Sequence, residues 1–166
     1  MKNILLLDIG CGNNKKKDSI GIDCRRTRKV DIISDAHRLP FKNETFDHVY
    51  SSHTIEHISH RKVKKVIKEW IRVLKKEGKI EIRCPDMYAR ALFFFSYPSW
   101  ENMRKFYGGQ DHKENFHKCG FSYHLIKEVL KENGIVDIKR VIDGYKGIPF
   151  LPNDLHVIGK KKNLIK

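Results

Sequence analysis

The chain has 166 residues, 40% of them hydrophobic and 33% charged, and its formal net charge is +14. A length in this range predicts a single domain, residues 1–166, with a buried core. The composition excludes low-complexity and fibrous proteins, and no apolar run approaches the roughly 18 residues of a membrane span.

The four cysteines are scattered and include no C-x-x-C pair, so neither a zinc knuckle nor a disulfide framework is expected. No secretory segment is recognised, since the early apolar run is short and is followed by motif residues. These features predict a reduced, cytoplasmic protein. The large positive charge fits either a lysine-coated surface or an anionic partner, namely RNA, a phosphorylated metabolite or an acidic membrane surface.

The first element is a buried strand that runs into a glycine turn. Residues 5–12 read Leu-Leu-Leu-Asp-Ile-Gly-Cys-Gly. A dinucleotide-binding fingerprint would need a third glycine at position 15, where the chain has Lys15. A glycine turn directly after a strand lets the backbone approach a small ligand closely, so a binding site is expected there.

Further along the chain, strand-like runs alternate with two helical patterns. One helix is expected from Ser59 to a stop at Gly78, and another from Ser122 to Gly134, each with one apolar stripe. Alternation of this kind predicts an α/β fold with a mostly parallel seven-stranded sheet, helices on both faces and a terminal antiparallel hairpin. The expected strands are Ile4–Ile9, Ser19–Asp23, Val30–Ser34, Phe46–Ser51, Lys79–Arg83, Val136–Ile142 and Leu155–Gly159. The last two are joined through Gly144, Gly147, Pro149 and Pro152.

The segment 87–121 differs from the rest because it is crowded with aromatic residues and contains no clear strand. One short segment cannot bury so many rings in the core. Ligands of open α/β sheets lie beyond the carboxyl ends of the strands, so this segment is interpreted as a lid or substrate wall.

Acidic residues end three successive strands of the predicted sheet. Asp8 precedes the glycine turn, Asp23 ends the second strand and Asp35 follows the third. A single aspartate of this kind is usually a cap or turn residue. Three aspartates at the ends of successive strands, beside the glycine turn, predict a crevice that binds a ligand.

These segments resemble the class I S-adenosylmethionine (SAM)-dependent methyltransferases, in particular the small "type 11" members, over roughly residues 4–85. The resemblance implies a Rossmann-like fold, SAM as cofactor and S-adenosylhomocysteine as product. The matching segments are Leu5–Gly12, Gly21–Asp23, Asp35–Phe41, Phe46–His53 with Glu56–Ile58, and Arg72–Ile80.

The resemblance also implies roles for individual residues. Asp8 and the backbone of Gly10, Cys11 and Gly12 would face the methionine and ribose of SAM, and Asp23 would bind the ribose hydroxyls. The adenine would contact Asp35 and Ala36, and the amino-acid moiety would lie near Ser51 and Ser52. The sequence departs from the family in two places. Only Asn13–Asp18 lies between the glycine turn and the second strand, so the usual helix there must be shortened or absent. Glu77 replaces a usual glycine, which is expected to be harmless.

Methyl transfer needs positioning and desolvation, and an oxygen or nitrogen acceptor also needs a base within reach. His53 is the first candidate because it follows the fourth strand, whereas His57 is expected to brace the turn. Tyr107 and His117 are further candidates in the acceptor wall, and Asp86 and His112 are weaker ones. A metal ion on His53, His57 and His60 is disfavoured because they do not clearly share a helix face, so no metal is predicted.

The acceptor is not readable from the sequence. A small metabolite or glycan-pathway intermediate is favoured, because the chain has no appended nucleic-acid domain. The alternatives are an RNA methyltransferase and a non-catalytic SAM- or nucleotide-binding module. A cysteine nucleophile at Cys84, which C5 methylation of cytosine would require, is disfavoured because buried cysteines are usually inert.

Overall fold

The computed structural model describes residues 4–142 and 154–163, and its centre is a seven-stranded sheet. The strands are β1 (Leu6–Ile9), β2 (Ser19–Asp23), β3 (Ile32–Ile33), β4 (Phe46–Ser52), β5 (Leu74–Pro85), β6 (Ile135–Arg140) and β7 (Asp154–Lys161). Their order across the sheet is β3-β2-β1-β4-β5-β7-β6. β1 to β5 are parallel, while β7 is antiparallel to both β5 and β6. The α/β class, the mostly parallel sheet and the terminal antiparallel hairpin are thus confirmed.

The helices are α1 (Val63–Val73), α2 (Met87–Ser96), α3 (Trp100–Tyr107) and α4 (Tyr123–Glu132), with a 3-10 turn at Ile55–His57. α1 packs its apolar stripe against β4 and β5, and α4 packs against α1, β6 and β7. Trp70, in the middle of α1, is fully buried. Within the described residues no helix separates β1 from β2, as the short connection Asn13–Asp18 predicts.

The bounds of α1 differ from the prediction. The helix begins at Val63, because Ser59 belongs to a separate turn before it. In that turn the carbonyl oxygen of Ser59 accepts a hydrogen bond from Lys62 N at 2.7 Å. It ends at Val73, and β5 starts at the next residue. Gly78 therefore lies within β5 rather than at the helix end. A Cβ there would come within 2.8 Å of Lys75 O, which explains the glycine.

Glu77 is a second correction. Its φ is 62°, a left-handed conformation that favours glycine. The replacement of the usual glycine is therefore not harmless, because it places backbone strain in β5.

α4 and the hairpin that follows it agree with the sequence. The Ser122 side chain accepts from Leu125 N at 3.4 Å and caps α4, and Gly134 ends the helix region with a φ of 78°. The predicted connection between the last two strands, through Gly144, Gly147, Pro149 and Pro152, lies outside the described residues.

The aromatic segment 87–121 forms α2, α3 and an irregular return to the sheet at Phe121. Several of its rings are exposed, with Phe95 84% and Trp100 90% accessible. Its interpretation as a lid or substrate wall stays a prediction.

Candidate functional site

The glycine turn after β1 is bound to the end of β2. Gly10 N and Cys11 N both donate to Ile22 O, at 2.8 and 3.1 Å. Gly10 and Gly12 have φ values of 70° and 49°, so both use conformations that side chains disfavour. A Cβ on Gly10 would come within 2.0 Å of Thr54 Oγ1, so this turn requires glycine for space as well as for conformation.

Asp23 ends β2 with its carboxylate held by two backbone donors. Gly12 N donates to Oδ2 at 3.0 Å, and Arg25 N donates to Oδ1 at 2.8 Å. The side chain is buried, and each oxygen keeps a lone pair beyond its single backbone bond. The carboxylate is oriented before any ligand binds.

Asp35 is more exposed, and its Oδ1 accepts hydrogen bonds from the backbone N and the Nδ1 of His37. Burial raises the pKa of Asp35, but the bonds from His37 outweigh it and leave the pKa below its ordinary value. Asp35 is therefore an anion at neutral pH. The neighbouring Ala36 carbonyl accepts from Trp70 Nε1 at 3.0 Å, which attaches this segment to α1.

A cavity of about 490 Å³ joins these groups, a size typical of small-molecule sites. Five predicted cofactor residues are in its wall together with the first candidate base, His53: Gly10, Gly12, Asp23, Asp35 and Ala36. Other wall residues were not predicted as cofactor contacts. They are Ile9, Ile22, Cys24, Arg25, Ser34, His37, Thr54, His57, Ile58, His112, Glu114, Asn115 and Lys118.

The remaining predicted cofactor residues lie behind the wall. Asp8 is 2% exposed, and its Oδ2 accepts from Lys16 N at 2.7 Å, which closes the turn. Burial raises the pKa of Asp8. Ser51 Oγ donates to Ile9 O at 3.2 Å, Cys11 is buried, and Ser52 is half-buried at the end of β4. In this arrangement Asp8, Ser51 and Cys11 support the turn from inside.

His53 lies in the cavity wall between two carboxylates. Its Nε2 is 3.2 Å from Asp154 Oδ2, and its Nδ1 is 3.3 Å from Glu56 Oε1. The bond with Asp154, followed by that with Glu56, raises the pKa of His53 to about 10, against the effect of burial. The ring is therefore protonated near neutral pH and cannot accept a proton there. This environment disfavours the base predicted at this position and favours a role in positioning.

The other two predicted catalytic residues lie at or near a second cavity, of about 410 Å³. His117 is in its wall, and burial lowers the pKa of this ring. Tyr107 is exposed and outside both walls, although its carbonyl accepts from His117 N at 3.0 Å. The rest of the wall is Arg90, Arg104, Lys105, Gly108, Gly109 and Asp111, which makes it predominantly cationic.

Segment 112–118 completes the wall of the first cavity, and the sequence predicted only part of this role. Arg25 Nη1 lies 2.6 Å from His112 Nε2, which links the segment to the end of β2. His57, expected to brace the turn, does so through its Nδ1, which lies 3.1 Å from Phe116 O. The high density of polar and aromatic residues after α3 was the signal available in the sequence, but periodicity does not say which of them meet the strand ends.

Comparisons with known proteins agree with this geometry. Residues 7–82 match the family model described as a methyltransferase domain. A SAM-dependent methyltransferase from Archaeoglobus fulgidus has the same fold, with a TM-score of 0.66, 20% identity, and coverage of 95% of this chain and 86% of that one. The chain has the class I SAM-dependent methyltransferase fold.

Two further proteins extend the comparison. The Burkholderia thailandensis 1,6-didemethyltoxoflavin-N1-methyltransferase, solved with S-adenosylhomocysteine bound, shares the class I methyltransferase fold at a TM-score of 0.65 and 12% identity, over 98% of this chain and 72% of that one. An uncharacterized protein of Methanocaldococcus jannaschii is 31% identical over an alignment of 86 residues, with 44% of this chain covered. The chain spans about a third (34%) of that curated relative's length. The family match and the class I methyltransferase fold together support SAM as the cofactor, as predicted. In the part of the chain that the structure describes, no helix is both long and apolar enough to cross a membrane.

Proposed function

We propose that this protein transfers a methyl group from SAM to an oxygen or nitrogen atom of a small molecule. The observation that carries the proposal is the pair of carboxylates, Asp23 and Asp35, on one cavity of about 490 Å³ beside the glycine turn. SAM, when bound, supplies an electrophilic sulfonium methyl group.

The residues present fit this cofactor. Gly12 N and Arg25 N each donate to one carboxylate oxygen of Asp23. Each oxygen can still accept a further hydrogen bond, which suits two ribose hydroxyl donors. Asp35 and Ala36 follow β3 on the same cavity, where a carboxylate and a backbone N–H suit an adenine edge. A Cβ on Gly12 would meet only Asp23 Oδ2, at 3.9 Å, so the protein leaves space above this glycine.

The protein's contribution to the reaction is to bind, orient and exclude water. The cationic second cavity supports a small acceptor that carries an anionic group. It is connected to the first cavity through the rings of His57 and His117, whose centroids are 5.1 Å apart. An acceptor held by Arg90 and Arg104 would enter from the side of segment 87–121, the proposed lid. Residues 1–166 would then act as one methyltransferase domain, and the four free cysteines favour a cytoplasmic setting.

The first experiment is thermal unfolding with and without S-adenosylhomocysteine, with NAD and ATP as controls. A hundredfold excess over Kd stabilises a one-site protein by about 2.7 kcal/mol, which raises Tm by about 5–10 °C for a domain of this size. The shift should vanish in Asp23→Ala and Asp35→Ala and persist in the matched surface variant Glu128→Ala, since Glu128 lies on the exposed face of α4. A wild-type protein that shows no shift at millimolar ligand contradicts the proposal.

The acceptor class is then tested by methyl transfer from labelled SAM to pools of phosphorylated, carboxylated and neutral small molecules, and to RNA. Transfer to an anionic small-molecule pool supports the proposal. Transfer to RNA alone contradicts it.

A further inference from the structure

Glu56, His57 and His117 form a cluster that the proposed methyl transfer does not use. One potential ligand atom from each side chain lies within 4.8 Å of the other two. Glu56 is 1% exposed, and its Oε1 is paired with His53, whose Nδ1 lies 3.3 Å away. Its Oε2 has no hydrogen-bond partner among the described residues, and a buried carboxylate oxygen without a donor is costly. Glu56 Oε2 is therefore the carboxylate oxygen available to a further positive partner.

Both imidazole rings are oriented by main-chain carbonyls. His57 Nδ1 lies 3.1 Å from Phe116 O, and His117 Nδ1 lies 3.2 Å from Phe106 O. A carbonyl only accepts, so each of these nitrogens carries a proton, and Nε2 is the nitrogen left for a metal ion. Histidines that bind metals through Nε2 are usually oriented in this way by an acceptor on the other nitrogen.

The backbone holds the cluster together from both sides. Lys118 N and Cys119 N both donate to Glu56 O, at 2.8 and 3.2 Å, which anchors the chain after His117 to the 3-10 turn. On the other side, Gly108 has a φ of 83°, and a Cβ there would come within 3.0 Å of His117 Cδ2. The convergence of these side chains is therefore fixed by main-chain contacts.

We propose that Glu56, His57 and His117 bind a divalent transition-metal ion of the Zn²⁺ type through one carboxylate oxygen and two Nε2 atoms. Two imidazoles and one carboxylate are a recognised zinc ligand set that leaves an open coordination position. With bonds of about 2.1 Å, tetrahedral ligand atoms lie about 3.4 Å apart. Atoms that lie within 4.8 Å of one another therefore need to close by up to about 1.4 Å.

The position gives the ion access to both cavities. His57 is in the wall of the first cavity and His117 in the wall of the second. If the proposed methyl transfer is correct, an acceptor hydroxyl at the open position would lose its proton more readily, because a bound cation lowers the pKa of its oxygen ligand.

The test is a Co²⁺ titration of tag-free wild-type protein, freed of metal by chelator dialysis, followed by visible absorption and competition with Zn²⁺. The expected result is one equivalent of Co²⁺ with tetrahedral d–d bands that Zn²⁺ abolishes. His57→Gln and His117→Gln should each weaken binding at least tenfold, and His124→Gln, an exposed histidine on α4, should not. Circular dichroism checks the fold, and Glu56→Gln replaces any variant that fails to fold.

Absence of a stoichiometric cobalt spectrum in the wild type overturns the metal site. So does equal affinity in the folded His57→Gln, His117→Gln and His124→Gln proteins. The S-adenosylhomocysteine shift, measured on the same metal-free protein, reports on the proposed function separately, so failure of one proposal is distinguishable from failure of the other.

Discussion

Trp70 Nε1 donates a 3.0 Å hydrogen bond to Ala36 O, which joins the buried middle of α1 to the segment that carries Asp35. The helix stripe that builds the core thus also positions one wall of the candidate SAM cavity. We therefore expect helix packing and ligand binding to be coupled at this contact.

Trp70→Phe removes the indole donor and part of the buried ring. We expect a loss of about 1–3 kcal/mol in the free energy of unfolding, together with weaker binding of S-adenosylhomocysteine, measured by denaturant unfolding and by titration. The matched variant Trp100→Phe, at a ring that is 90% exposed, should change neither quantity. Equal effects of the two variants would contradict the coupling.

Gly10→Ala and Gly134→Ala form a matched pair. Both glycines have positive φ, 70° and 78°, but a Cβ at position 10 would collide with Thr54, whereas at position 134 nothing lies within 4 Å. Gly134→Ala should therefore cost about 1 kcal/mol of stability from backbone strain alone. Gly10→Ala should cost more and should also abolish the thermal shift with S-adenosylhomocysteine. Thermal unfolding measures both, and an unchanged shift in Gly10→Ala would remove the glycine turn from the site.

Glu77→Gly should stabilise the protein. The residue has a φ of 62°, which glycine adopts without strain, and its side chain makes an ion pair with Lys160 that is exposed and therefore weak. We expect Tm to rise by about 2–4 °C. Glu77→Ala, which loses the same ion pair but keeps the strain, should not raise Tm, and a rise in both variants would point to the ion pair instead.

Glu81 predicts an acid-sensitive stability. Burial raises the pKa of this carboxylate, but His48, Lys79 and Lys16 outweigh it and hold the pKa well below its ordinary value. The stabilisation is fully present above the unfolded-state pKa, near 4.3, and is lost as the pH falls further. His156 Nε2 also contacts this group, at 3.1 Å.

Glu81→Gln should accordingly lower Tm at pH 7 and flatten the fall in Tm between pH 5 and 3. Glu132→Gln, which breaks only the exposed pair with Lys64, should leave the pH profile unchanged. The measurement is thermal unfolding across this range. A Glu81→Gln profile parallel to the wild type would exclude Glu81 as the source of the acid sensitivity.

The parts of the site that were predictable are those in which a local pattern and a strand end coincide. Gly10, Gly12, Asp23 and Asp35 follow short apolar runs, and parallel strands bring their carboxyl ends to one edge. The bounds of α1 were less predictable, because Ser59 resembles a cap and Gly78 a helix stop. The strain at Glu77 could not be read from residue type at all.

The sequence by itself determined the α/β order of elements, the glycine turn and the acidic strand ends, because each depends on periodicity or conformational preference within a few residues. Only the tertiary structure decided what surrounds them. It placed Asp154 beside His53, Thr54 against Gly10, and His117 beside His57. The physical reason is that these contacts join segments far apart in the chain, and the packing of the sheet and of segment 87–121 sets their distances, charges and protonation.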